Sequence, residues 1–415
     1  MEKRNTLIFL TANYPYGFGE AFIEGEMPFL AEAFEKIILI SNDLNNEQTR
    51  STPDNVELFR FPYELSAIEK LFALFQLFNP LFWKEFKQLS FYKLKPSKPI
   101  VSTILFSLYK GKKLIKYMKG IMQKEGVSPE QAITYSYWSN DTAVGLAMLK
   151  NELPTIKAVS RGHRWDIYFE NASINYLPFR KLMLETLDAV ISISQDGIEY
   201  IKSKWGVEQL CFSKLRMSKL GVFNEFPFST EKQNAPFLIV SCSYIITRKR
   251  VDLIVQALGE LNLPVKWFHF GDGPQAEEVK QLAAEKLSST KTEYTFAGAV
   301  SNTELLEAYA AKKPSLFINV SSSEGIPVSI MEAMSFGIPA IATDVGGNNE
   351  ILRHQENGLL LASDPTVNEV AEAIKYFVTL DAGQYSTYVK EARKTWEREY
   401  NAELNYKEFV GLLKE

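Results

Sequence analysis

Short apolar runs recur along this chain with helix-patterned stretches between them, and that alternation limits the fold more than any other feature. Thr6–Ala12 (TLIFLTA), Lys36–Ser41, Ala132–Trp138, Thr155–Arg161 and Ala189–Ser194 read as strands of a first half. Phe237–Ser243 (FLIVSCS), Val265–Gly273, Glu293–Gly298, Leu316–Ser322 and Ala340–Asp344 read as strands of a second. Parallel strands must be joined by crossover helices, so this order predicts an α/β chain with two Rossmann-like, doubly wound parallel sheets. A length of 415 residues exceeds one comfortable core, which also favours two domains. The turn-rich stretch Ser218–Pro236 has a linker's composition and puts the boundary near Gly221. The expected domains are 1–220, carrying an insertion over about 66–122, and 221–394. A C-terminal segment over about 395–415, with Trp396 and Tyr400 one turn apart, is expected to rejoin the first.

Composition removes several function classes. With 46% hydrophobic and 23% charged residues and a net charge of -4, the chain has no global basicity that would suit nucleic acid. Cys211 and Cys242 have no metal-like spacing, and so few cysteines exclude a disulfide framework and fit a reducing compartment. The first apolar run is broken by Thr11 and Asn13 and reads as a strand, not a leader, and no apolar stretch is long enough to span a bilayer. These features predict a cytoplasmic location, with peripheral attachment to the inner face of the membrane left open.

Ser321–Glu350 (SSSEGIPVSIMEAMSFGIPAIATDVGGNNE) carries the chemistry. A strand ends at its serines, Gly325 and Pro327 turn the chain, and Val328–Phe336 follows with good helix formers, Gly337 closing the helix. Pro327 suits the first helical turn, and the helix N-terminus offers unpaired N–H groups to an anion such as phosphate. Glu324 lies on the loop and Glu332 about one turn inside the helix. On one continuous helix they would stand ~12 Å apart, wider than the ~5–9.5 Å of a glycosidase pair. Two carboxylates bracketing a phosphate site instead suit a ligand with sugar rings at both ends, as a nucleotide sugar has. The plain alternative is a pair of solvated acids near a helix start.

These residues resemble the E-x7-E region of retaining GT-B glycosyltransferases of glycosyltransferase family four. Leu187–Ile201 (LDAVISISQDGIEYI), Arg248–Leu258 (RKRVDLIVQAL), Gly271–Val279 (GDGPQAEEV) and Phe296–Ala310 (FAGAVSNTELLEAYA) follow in the family's order. The resemblance implies two Rossmann-like domains facing a cleft, the first on the acceptor side and the second binding donor. It implies that Glu332 binds the donor's ribose hydroxyls and Glu324 the sugar hydroxyls, while Gly325, Ile326, Pro327 and Val328 contact sugar and diphosphate through their backbone. Lys249 matches the family's phosphate-neutralising Lys. Tyr244 stands where the family usually has Arg, and Arg248 and Arg250 could compensate, since a guanidinium grips phosphate through paired N–H groups. His163 matches the histidine that faces the donor sugar, so His163, Glu324 and Lys249 are the catalytic candidates. Gly17 and Gly19 would lie beneath the donor phosphates, Gly271 near the nucleotide and Val300 near the base; Glu20 and Asp166 are candidate acceptor contacts.

The reaction this implies retains anomeric configuration and needs no metal and no cofactor beyond a UDP- or GDP-linked sugar donor. The acceptor would be a glycan or lipid-linked glycan of bacterial surface polysaccharide. The aromatic, lysine-rich region 66–122 in an acidic chain suits an anionic membrane surface, against the alternative of core aromatics with a solvated lysine face. Two rivals remain: another enzyme on this fold, such as an epimerase or an inverting transferase, and a degenerate nucleotide-sugar-binding or scaffold protein.

Overall fold

The computed structural model describes residues 4–17, 19–227 and 236–415, so most of the turn-rich linker, 228–235, lies outside the described residues. The chain divides into two compact units, Met1–Lys219 with Tyr406–Glu415, and Leu220–Asn405.

Unit 1 is built on seven parallel strands: β1 (Thr6–Thr11), β2 (Lys36–Ser41), β3 (Val56–Arg60), β4 (Ala132–Ser136), β5 (Lys157–Gly162), β6 (Ala189–Ser192) and β7 (Leu215–Met217). Their order is β3-β2-β1-β4-β5-β6-β7. β1 and β4 are buried along their whole length, as central strands covered on both faces must be. One core layer gathers Leu7, Phe9, Ile37 and Tyr135 with Phe409 and Leu413 of the returning C-terminal helix. Burying each such side chain contributes about 1.5–3 kcal/mol, which is what holds that helix on this sheet.

Unit 2 has six parallel strands: β8 (Phe237–Cys242), β9 (Val265–Phe270), β10 (Glu293–Gly298), β11 (Leu316–Asn319), β12 (Ala340–Thr343) and β13 (Gly358–Leu361), ordered β10-β9-β8-β11-β12-β13. All ten expected strands form. Three more, β3, β7 and β13, escaped the sequence reading because each is a short edge strand with partly exposed residues and at most three strongly apolar residues in a row.

The returning segment is shorter than the expected 395–415. Trp396–Tyr400 stays in unit 2 as a π turn, its Trp396 indole donating to the Val222 carbonyl at 3.0 Å. Asn405 donates to the Leu220 carbonyl at 2.8 Å, and only 406–415 joins unit 1. Gly221 lies so close to Ala402 that a Cβ would meet its Cα at 2.4 Å, which accounts for a glycine at the boundary. The insertion departs from a strand-helix repeat: helices Ala67–Phe72, Pro80–Phe91 and Lys98–Lys124 enclose a 3-10 turn, Ala73–Phe78.

Candidate functional site

Strand order reverses between β8 and β11, and in open parallel sheets ligands bind outside the carboxyl ends of strands at such a reversal. The loop after β8 carries Lys249 and the loop after β11 carries Glu324, with Nζ 2.5 Å from Oε1. Asn319 donates to the same oxygen at 3.2 Å. Burial works to raise the Glu324 pKa, but the charge and hydrogen bond of Lys249 outweigh it and hold the carboxyl below its ordinary value. The two loops are tied: the Ser322 N–H donates to the Arg248 carbonyl at 2.8 Å. An ammonium has three donors and a carboxylate about four acceptor sites, so both partners keep capacity for a ligand.

Glu332 is the fifth residue of the helix Val328–Ser335 and is buried. Pro327 stands at that helix's N-cap, one position before the expected first turn. The Asn302 side chain donates to Glu332 Oε1. Burial pushes the Glu332 pKa up to about 7. Burial and then the charge of Glu332 push the Cys242 thiol up to about 12, and Tyr309, whose buried hydroxyl has no partner, feels the same charge. The turn Glu324–Pro327 rests on Gly346 and Gly347. Gly346 has φ +52°, and a Cβ there would fall 2.0 Å from the Glu324 carbonyl oxygen; the Gly347 N–H donates to the Gly325 carbonyl at 2.6 Å. Ile326 is buried against this pair. Gly271, at φ +141°, abuts the Ser243 carbonyl and donates to the Gly298 carbonyl at 2.8 Å. Val300 follows β10, two residues before Asn302. Glu324, Glu332, Lys249, Gly271 and Val300 therefore all lie on or just beyond the same strand ends.

Arg250 does not match the expectation. It adopts φ 48°, which turns its side chain into the unit. There the guanidinium donates to the carbonyls of Val320 (2.6 Å), Ser321 (3.0 Å) and Ser363 (2.8 Å) and to Asp364 (2.8 Å). Four of its five N–H donors are spent on protein, so it is first a clasp on the loop after β11, with one N–H left over. Arg250→Ala is expected to cost about 2–4 kcal/mol of stability, seen as a lower Tm, because it strands these carbonyls. Arg248 and Tyr244 are exposed on the same loop.

In unit 1 the order reverses between β1 and β4. His163, at the end of β5, is buried with neither ring nitrogen hydrogen-bonded. Its ring is held by stacking at 4.8 Å on Tyr137 and by Trp138 at 4.4 Å. Burial and the Arg161 charge hold its pKa well below the ordinary value, so the imidazole is neutral and offers one donor and one acceptor.

The two acceptor candidates are corrected by their hydrogen bonds. Glu20, itself at φ 56°, folds its carboxylate back on the N–H groups of Ala12 (3.0 Å), Asn13 (2.6 Å) and Tyr14 (2.6 Å) and accepts from the Trp138 indole. Asp166 is fully buried and accepts the N–H of Ser139 at 2.6 Å and of His163 at 2.5 Å. Both carboxylates organise loops. Gly17 has φ +58° and packs on Asn46, and Gly19 packs on Asn13 while its carbonyl accepts from Arg50 at 2.8 Å. This loop is tied to 43–50, a connection with no sequence signal.

Sequence reasoning also missed Asn302, Tyr309, Trp138 and the Gly346–Gly347 pair. Only the glycine pair had a visible signal, two adjacent glycines just after a strand. Among the described residues, no three of His, Cys, Asp and Glu gather where they could hold a metal ion.

Residues 222–395 match the family described as glycosyl transferases group 1. Unit 2 is a group 1 glycosyl transferase domain. The glycosyltransferase WcaL of Escherichia coli strain K12, provisionally assigned to colanic acid biosynthesis, is 26% identical over 65% of this chain and 65% of its own length. The chain thus spans just under two thirds of that relative. Among solved structures, the lipopolysaccharide outer core galactosyltransferase WaaB, in its apo form, superposes with a TM-score of 0.70 at 15% identity, over 99% of this chain and 100% of that one. HepE of Anabaena, solved in complex with UDP, gives 0.63 at 15% identity over 98% and 99%. At such identities the likeness concerns the fold, and the fold is GT-B: the group 1 domain together with a second parallel-sheet unit.

Proposed function

We propose that this protein is a retaining, metal-independent glycosyltransferase that moves a sugar from a nucleotide-diphosphate donor to a glycan or lipid-linked acceptor in bacterial surface polysaccharide assembly. The observation that carries this reading is the Lys249–Glu324 pair at the β8/β11 reversal, with Glu332 buried in the helix that follows. Lys249 supplies positive charge where a diphosphate gains negative charge as it leaves. Glu324 keeps acceptor sites for sugar hydroxyls, and Glu332 can accept two vicinal ribose hydroxyls. The start of Val328–Ser335, which no side chain caps, adds a dipole end suited to phosphate. In the transfer, the bond from the sugar's anomeric carbon to the diphosphate oxygen breaks, with the electron pair leaving on the diphosphate. The acceptor hydroxyl oxygen bonds the anomeric carbon from the same face, and its proton passes to the departing phosphate oxygen. His163, neutral and with both ring nitrogens unspent, is suited to hydrogen-bonding sugar hydroxyls.

UDP is the first donor base to try, because HepE was solved with UDP and with UDP-glucose. GDP is the second. WaaB and WcaL, by their names, act in lipopolysaccharide and colanic acid assembly, which is what favours a surface-glycan acceptor and a position at the cytoplasmic face of a membrane.

The test is thermal unfolding with UDP, GDP, ADP and CMP, followed by NMR of the product's anomeric configuration. One nucleotide at ~100 times its Kd is expected to add about 2.7 kcal/mol of stability, and the product to keep the donor's configuration. Inversion would overturn the retaining assignment. Tyr244 at the position of the family's usual Arg is the one observation favouring a scaffold, which would bind nucleotide yet show no transfer to any glycan.

A further inference from the structure

The insertion contains a segment built inside out. Along Ala67–Phe78 the only buried residues are Ala73 and the polar Gln76. Its large apolar side chains point to solvent: Phe78 is 84% exposed, Ile68 and Leu71 65%, and Phe75 64%, with Phe72 and Trp83 of the next helix also outward. A surface helix normally buries its apolar stripe. Here the stripe forms a ridge of adjoining residues, beyond the scattered single apolar residues of an ordinary surface.

The ridge has a basic border. An open pocket of about 660 Å³ on one side joins Phe78 and Trp83 to Lys84, Lys87 and Lys181. Another of about 410 Å³ joins Phe75 and Phe78 to Lys112. Lys70, Lys87, Lys93, Lys95, Lys112 and Lys116 are exposed and make no ion pair among the described residues. The insertion's two acids are both occupied: Glu69 pairs with Lys113 at 2.8 Å, and Glu85 is buried accepting from Tyr176 at 2.6 Å. The acids beside the ridge are paired as well: Glu185 holds Lys84 at 3.0 Å and Lys181 at 3.7 Å, and Glu152, which lines the second pocket, holds Lys119 at 2.6 Å.

We infer that this ridge inserts into the headgroup and acyl boundary of an anionic bilayer, with the lysines on its lipid phosphates. Aromatic side chains beside unpaired lysines are the composition of an interfacial anchor. A second copy of the chain would bring the same positive border against itself, and the like charges disfavour that occupant. The choice of a lipid-linked acceptor rests on the transfer reading above; the surface does not.

The experiment is cosedimentation of the full chain with phosphatidylcholine vesicles, with and without about 30 mol% phosphatidylglycerol, at low and high salt. The wild type is expected to sediment with the anionic vesicles at low salt and to be released by salt. Phe75→Ser with Phe78→Ser should weaken binding at least about tenfold, since each phenylalanine loses its apolar burial. Lys87→Glu with Lys112→Glu should weaken binding to anionic vesicles and leave binding to neutral ones unchanged. Failure of the wild type to sediment, or sedimentation of the serine variant like the wild type, would overturn the inference. So would a wild-type dimer that the serine variant turns monomeric without vesicle binding. Nucleotide-induced stabilisation measured on the same samples separates the two readings: if it persists without vesicle binding, only the membrane anchor fails, and vesicle binding without it sinks only the donor site.

Discussion

Glu332→Gln is expected to make the nucleotide-free protein more stable at pH 8 while removing its response to UDP. The burial that pushes the Glu332 pKa up to about 7 from an ordinary 4.5 means that ionising it in place is costly. Below pH ~4.5 the group is protonated folded and unfolded, and its full contribution is present. Between pH ~4.5 and ~7 the unfolded chain ionises while the folded one holds its proton, so stability falls. Above that window the loss levels at about 3 kcal/mol, and glutamine, which keeps the Asn302 hydrogen bond and carries no charge, restores it. The nucleotide reverses the preference. Ribose hydroxyls are donors that seek the carboxylate, so wild-type affinity should rise with pH through ~7, and glutamine should weaken it on the order of a hundredfold. Melting curves from pH 5 to 8.5, with and without UDP, check both. Unchanged UDP affinity in the variant would remove Glu332 from the ribose site.

The sequence revealed most where burial leaves a continuous pattern. β1, β2 and β8 each carry four apolar residues in a row with nearly every residue buried, the pattern a central parallel strand leaves. β13 offers only three leucines after Gly358, half of its residues partly exposed, and β3 alternates weakly at a sheet edge. In the site, Glu324 and Glu332 were legible because the turn residues and helix formers around them fixed one on a strand-end loop and the other inside the helix that follows, and Lys249 because the family resemblance marked it. Arg250 was not, because a residue's backbone hand cannot be read from its neighbours. At φ 48° its guanidinium swings from the expected phosphate side to the carbonyls of 320 and 321. Glu20 failed in the same way: its left-handed backbone turns a carboxylate expected to meet an acceptor onto three N–H groups of its own loop. In the insertion, the sequence gives aromatics and lysines but not the inverted facing, since only packing decides that Gln76 goes inside and Phe78 out.

Lys249→Met separates what that lysine does for the fold from what it does for the reaction. In the resting protein it offsets the burial of Glu324, whose folded pKa lies below its unfolded value. That contribution is present above the unfolded pKa, ~4.5, and is lost as pH falls through the folded one. Without Lys249, burial opposes only the remaining hydrogen bonds such as that from Asn319, the Glu324 pKa rises, and the sign inverts: the methionine variant should lose stability as pH rises, by on the order of 3 kcal/mol at neutral pH. Removing a positive charge from beside the leaving diphosphate is expected to lower kcat by roughly 10²–10³, about 2.7–4 kcal/mol of transition-state stabilisation. Lys249→Met with Glu324→Gln should then recover most of the stability, because a neutral amide in that place needs no counter-charge. It should recover none of the rate, since nothing positive has been returned to the phosphates. Recovery of both would mean that neither charge serves the reaction and that Lys249 only offsets the buried charge of Glu324, and the charge on the departing diphosphate would have to be met by another group, the exposed Arg248 on the same loop first.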